Sequence, residues 1–191
     1  MRKKLIFGIG FNDCPDTVVH FTGGKRRNCI FYQKWFDMLK RCYSKKYQDK
    51  HPSYIGCCVC DDWLSFSKFK QWMKQQDWEN NDLDKDLIIK GNKVYSPETC
   101  SFVSKATNLF TLDRARFRGD LPIGVSYKNN NNTFQSKCCN PFTGKREWLG
   151  CFQKPEEAHK AWKLRKHQLA CMLADLQKDH RVANSLRTRY L

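Results

Sequence analysis

At 191 residues, 40% of them apolar, the chain can bury the core of one ordinary domain or two small ones, which excludes a disordered chain. Thirty-five Lys and Arg against 19 Asp and Glu give a formal charge of +16, an excess that points to a polyanionic partner, nucleic acid first. Eleven cysteines, an odd number scattered along the chain, argue against a disulfide scaffold and fit a reducing cytoplasm, and no apolar run approaches membrane-spanning length.

The basic excess lies on both sides of Asp120, with 22 basic and 14 acidic residues up to it and 13 and 5 after it, so both halves could touch phosphate. Residues 1 to 28 mix Gly, Pro and charge and read as an irregular arm or short hairpin rather than a core element, with Lys25-Arg26-Arg27 as a phosphate contact. The start Met1-Arg2-Lys3-Lys4 is basic, but the apolar stretch that follows is broken by Gly8 and Gly10 and is too short for a signal sequence. Phe31, Trp35, Met38, Leu39 and Cys42 recur at helical spacing, and so do Trp63, Phe66, Phe69, Trp72 and Met73. The two helices are expected to pack their aromatic stripes on each other. Between them Cys57 and Cys60 form a CxxC pair, half of a tetrahedral Zn2+ site. Cys42 and Cys100 could supply distant ligands, and buried thiols are the other reading.

From Leu83 to Phe110 the pattern reads as a short strand, a turn at Lys90-Gly91-Asn92-Lys93, an extended piece and a helix opened by Ser96-Pro97-Glu98 or slightly later. A charged linker, 113–120, follows, and Arg114 to Arg118 could track DNA along it. Beyond it the alternation of strands returns, in Gly124-Val125-Ser126-Tyr127, Thr133 to Cys139 and Arg146 to Phe152, with an Asn-rich turn and a Pro-Phe-Thr-Gly turn between them. Pro155-Glu156-Glu157 opens a helix carrying Ala158, Ala161, Trp162, Leu164, Arg165 and Leu169. The second strand should present Gln135, Lys137 and Cys139 on one face and Phe134, Ser136 and Cys138 on the other.

The string Trp148-Leu149-Gly150-Cys151-Phe152, then Pro155-Glu156-Glu157-Ala158 and Ala161-Trp162, with Gly124-Val125 opening the first strand, resembles the Apetala-two type DNA-binding domain of plant ethylene-response factors and phage endonucleases. The resemblance covers roughly 50 residues, about Ile123 to Ala174. It implies a sheet laid in the major groove with the helix behind it, Ser126, Lys128, Lys137, Arg146 and Trp148 meeting DNA, and Arg146 forking onto guanine. The plant domains carry arginines in the first strand and at Cys139 that are absent here, which leaves the base preference open.

Upstream, Leu83-Asp84-Lys85-Asp86-Leu87, Gly91-Asn92-Lys93 and Ser96 to Asn108 resemble a degenerate HNH nuclease motif, a unit often joined to that domain in phages. The resemblance puts Asp84 and Asn108 at the ligands of a Mg2+ or Mn2+ ion, Lys85 where the family has its general-base histidine, and Thr99 at the orienting asparagine. An ammonium at neutral pH donates protons rather than taking them, so Lys85 would act electrostatically and Asp86 or a metal-bound hydroxide would activate water. Of the five histidines, His20 and His51 fall in loops and His159, His167 and His180 on or beyond the last helix; His51 is the first candidate for a histidine donated from elsewhere.

The expected fold is α+β: a helical N-terminal region leading into a degenerate HNH strand-loop-helix unit (about 83–110), then a three-stranded antiparallel sheet on one helix. The domains are 1–112, the linker 113–120, and 121–191. The expected function is a DNA-binding, phage-type protein resembling HNH homing endonucleases, either a metal-dependent endonuclease or nickase or a non-cutting regulator or inhibitor of a host complex. Its partner would be double-stranded DNA, with a protein partner open and no membrane, in the cytoplasm of an infected bacterial cell.

Overall fold

The computed structural model describes residues 5–113 and 119–191; the basic start Met1–Lys4, linker residues 114–118 and the side chains of Thr22 and Arg26 lie outside the described residues. The fold is α+β, with a helical N-terminal half and a three-stranded antiparallel sheet packed against a long helix. The chain divides into two compact units, Met1–Val103 and Ser104–Leu191. No helix among the described residues is long and apolar enough to cross a membrane.

In the first unit, strands β1 (Val19–Thr22) and β2 (Lys25–Asn28) form a hairpin, and helix α1 (Ile30–Tyr43) follows, opened by Cys29, whose sulfur accepts from the Tyr32 N–H at 3.4 Å. Helix α2 (Lys45–Lys50), the two-residue strand β3 (Cys58–Val59), α3 (Asp61–Leu64) and α4 (Phe66–Lys74) come next. Trp35, Met38 and Leu39 of α1 meet Trp63, Phe66, Phe69 and Met73 in a closed aromatic core, and the indole N–H of Trp35 donates to the Trp63 carbonyl at 2.7 Å. Burying the ring thus leaves no unpaired donor.

The second aromatic stripe is not one helix. It breaks at Ser65, whose neighbours are held by the N-terminal segment: the Phe11 N–H donates to Leu64 at 3.0 Å, and the Phe66 N–H donates to the Phe11 carbonyl at 3.1 Å. Asp13 then caps α4, accepting from the Ser67 N–H (2.9 Å) and from the Ser65 and Ser67 hydroxyls (2.7 Å each). Burial alone would raise the Asp13 carboxyl, but these donors hold it down at about 2. The first residues are therefore not only an irregular arm. Ile6, Phe7 and Ile9 pack on the core, and Gly10 lies so close to α1 that a Cβ there would sit 2.3 Å from Leu39 Cδ1. His20 is in a strand rather than a loop.

Strand β4 (Asn81–Asp84) pairs with β6 (Ser101–Ser104), and β5 (Val94–Tyr95) lies parallel to β3. Ser96-Pro97-Glu98 makes a turn, closed by the Cys100 N–H on the Ser96 carbonyl at 2.9 Å, and does not open a helix. Helix α5 (Lys105–Thr111) starts later, on Ser104, whose hydroxyl accepts from the Thr107 N–H at 3.1 Å.

In the second unit, strands β7 (Val125–Lys128), β8 (Thr133–Cys139) and β9 (Arg146–Phe152) form the sheet in that order, backed by α6 (Pro155–Ala174), on which α7 (His180–Thr188) packs. Gly124 is the closest point between sheet and helix. Its φ is +84, and a Cβ would fall 2.0 Å from Trp162 Cδ1, so only glycine fits. Trp162, Phe110 and Tyr190 surround the buried ammonium of Lys166, which donates to the Phe110 carbonyl at 2.6 Å, in the last turn of α5. Desolvation lowers this lysine to about 8.

Candidate nucleic-acid interface and the HNH-like strand

Register decides what the sheet shows to solvent. Val125 pairs with Ser136, and both are buried on the α6 side; Ser126 pairs with Gln135 on the opposite, outer side, and Lys128 follows Ser126 by alternation. In β8 the expected division holds, with Ser136 and Cys138 fully buried and Lys137 and Cys139 exposed. Between β8 and β9 the register shifts, because Gly150 pairs with Ser136 whereas Trp148 pairs with Lys137, leaving Leu149 as an extra residue. Gly150 adopts φ +134 beside this bulge.

The bulge turns Arg146 and Trp148 outward. Arg146 lies opposite exposed Cys139, and Trp148, 64% exposed, lies opposite Lys137. Ser126, Lys128, Lys137, Arg146 and Trp148 therefore share one face, and no acidic residue of the three strands joins them. The single strand carboxylate, Glu147, points to the helix side. Both its oxygens bind Arg165 (2.6 and 2.9 Å), Asn140 adds a third contact at 2.7 Å, and the Arg165 hydrogen bonds first of all lower its carboxyl to about 2. The acidic charge is neutralised behind the sheet, and the cations in front keep theirs. Gln135, expected on the Lys137 face but not as a DNA contact, and Cys151, not singled out from sequence, pair across the middle of the outer face. Gln135 stands two residues from Lys137, which is the signal that would have found it.

The strand that resembles an HNH unit is arranged differently. Asp84 ends β4, and its Oδ1 accepts the N–H groups of Asp86 (2.9 Å) and Leu87 (2.7 Å), bending the chain. Burial raises the Asp84 carboxyl, the Asp86 charge adds to this, and the two N–H donors oppose it. Lys85 is buried, and its ammonium donates to Asp86 Oδ2 at 3.0 Å and to the Asn92 carbonyl at 2.9 Å. Asn92 returns the contact, its amide donating to the carbonyls of Lys85 (2.7 Å) and Val94 (2.6 Å). The side chain that holds the Lys85 backbone is thus Asn92, whereas Thr99 donates to the Val94 carbonyl at 2.7 Å.

Asp84, Lys85 and Asp86 are brought together in the first unit, while Asn108 lies on α5 in the second. Among the described residues no three His, Cys, Asp or Glu side chains converge as a metal site. With one Asp84 oxygen taken by backbone donors and Asp86 paired to an ammonium, this strand by itself is a poor fit to a divalent ion. His51 rests its ring on Tyr47, centroids 4.4 Å apart. Cys57 and Cys60 flank β3; burial raises both thiols, and takes those of Cys42 and Cys100 to about 12. Compared with family models, curated proteins and solved structures, the chain matches none.

Proposed function

We propose that the protein binds double-stranded DNA through the outer face of β7–β9, in the manner of the Apetala-two type domain it resembles, and that its HNH-like strand does not cut. The observation that carries this reading is the acid-free face on which Lys137, Arg146 and the exposed Trp148 stand together. Cations without acidic partners remain available to phosphate and guanine, and an exposed indole beside them adds a planar apolar surface for bases or sugars. Against cleavage stands Lys85: it occupies the general-base position as a buried donor already satisfied by Asp86 and Asn92.

Fluorescence anisotropy with labelled duplexes tests the binding. Arg146→Ala and Trp148→Ala are each expected to weaken it by about 1–3 kcal/mol without changing the melting temperature. Unchanged affinity in both variants would remove the sheet as the reading surface. Supercoiled plasmid incubated with Mg2+ or Mn2+ is expected to stay intact. Nicking that disappears in Asp84→Ala would establish the nuclease reading instead.

A further inference from the structure

The hairpin β1–β2 is a cationic element of the first unit that the sheet-based reading leaves unused. From Thr17 to Phe36 the sequence holds no Asp or Glu, yet it contains Lys25, Arg26, Arg27 and Lys34. Of the carboxylates that flank this run, Asp16 pairs with the Lys70 ammonium and Asp37 accepts from the Gln33 amide at 3.0 Å. Lys34 pairs with Asp82 at 3.0 Å. Among the described residues, neither Lys25 nor Arg27 is in an ion pair, and both are exposed.

The hairpin is also preformed. Four rungs pair it, from Val19 with Asn28 to Thr22 with Lys25, and both turn residues, Gly23 and Gly24, have positive φ (59 and 72), the backbone a tight two-residue hairpin turn requires. At its base the Cys29 N–H donates to the Val18 carbonyl at 2.8 Å. Because opposed residues share a face, His20 and Arg27 lie with Lys25 on one side of the ribbon, while Phe21, 76% exposed, lies on the other. A single hydrophobic partner would leave these cations desolvated and unpaired, which disfavours an apolar protein surface. A two-stranded ribbon of this width fits a groove of duplex DNA, and Lys25 and Arg27 would face its phosphates.

We propose that β1–β2 is a second DNA-binding element, separate from the sheet, that clamps the backbone of duplex DNA through Lys25 and Arg27. It adds affinity without sequence preference. Since both elements belong to one chain, binding by either raises the local concentration of DNA at the other. The charge complementarity of the hairpin stands by itself, so this proposal does not depend on the sheet reading.

The test is the salt dependence of duplex binding for the full chain, the double variant K25E/R27E, the milder K25Q/R27Q, the sheet variant R146A/W148A, and both sets combined. Thermal melting verifies that each protein folds; both hairpin positions are exposed, and the glutamine pair removes the charge while keeping a polar side chain. Loss of both hairpin cations is expected to reduce the slope of log affinity against log salt by about 2, and to weaken binding roughly tenfold or more at low salt, equally for all duplex sequences. The combined variant should lose more than either set alone. An unchanged slope in folded K25E/R27E and K25Q/R27Q would overturn the proposal, while the sheet reading would survive if R146A/W148A still lost affinity. Loss in the hairpin variants with none in R146A/W148A would support the hairpin and overturn the sheet. Loss confined to single-stranded RNA, with duplex binding intact, would also overturn it.

Discussion

The outer face of the sheet and the loop after β4 both hold charged residues, and they dispose of the charge in opposite ways. On the sheet, Glu147 is drawn behind the strands by Arg165 and Asn140, and Lys137 and Arg146 are left facing water. After β4, Lys85 and Asp86 neutralise each other, and Asp84 and Asn92 bind the local backbone. The same residue types face solvent in the first case and close a loop in the second. Partners, rather than residue identity, separate a site from a brace.

The contrast can be broken most severely at Gly124. Gly124→Ala places a methyl group inside Trp162 at a positive φ, and a loss of about 3 kcal/mol from the second unit is expected in chemical denaturation. A variant as stable as the parent would mean that the sheet does not rest on α6 at this point, and the outer face would lose its support.

Lys166 tests the buried side of the same unit. Its folded value of about 8 lies below the 10.5 of a free lysine, so the unfolded chain binds more protons between those values. The cost of burying the charge is fully present below pH 8, and stability contributed by this residue rises from there to about pH 10.5. Lys166→Met should stabilise the protein by roughly 1–3 kcal/mol at pH 7 and flatten the difference between the two proteins as pH rises. Tyr190 remains to donate to the Phe110 carbonyl at 3.5 Å. Destabilisation at pH 7 would mean that the ammonium in its aromatic enclosure is a net gain.

The smallest effect is expected at the loop. Lys85→Met removes an ion pair whose carboxylate is half exposed and one bond to the Asn92 carbonyl, for a loss of about 1 kcal/mol in denaturation and none in duplex affinity. A fall in DNA affinity with stability unchanged would make Lys85 a contact residue and erase the distinction between the two regions.

The sheet and its helix were legible in sequence because their signals are local: alternation in Thr133 to Cys139, turn residues between strands, and Pro155-Glu156-Glu157 at the helix start. The aromatic core was legible from period alone. What escaped depended on distant partners. Nothing near Ser65 announces that Phe11 and Asp13, more than fifty residues earlier, split the helix there. Ser96-Pro97-Glu98 has the composition of a helix start, yet the chain needs a turn to reach β6. The outward placement of Arg146 and Trp148 came from the resemblance, because strict alternation would have put them on one face with Gly150 and Phe152. A lone glycine within a strand was the available sign of the irregularity.

Leu149 has a consequence for how this surface can change over generations. Leaving this residue out of the ladder is what keeps Arg146 and Trp148 off the helix side. Losing one codon there would close the bulge and leave Trp148 opposite Lys137 and Glu147 opposite Cys138, whereas one further residue paired into the ladder between them and Gly150 would swing Glu147 into the solvent-facing row and strand Arg165 without its carboxylate. Point substitutions along the outer row leave that parity untouched. The outer row is thus free to drift residue by residue and can lose the bulge residue, but it does not survive a further residue paired into its third strand.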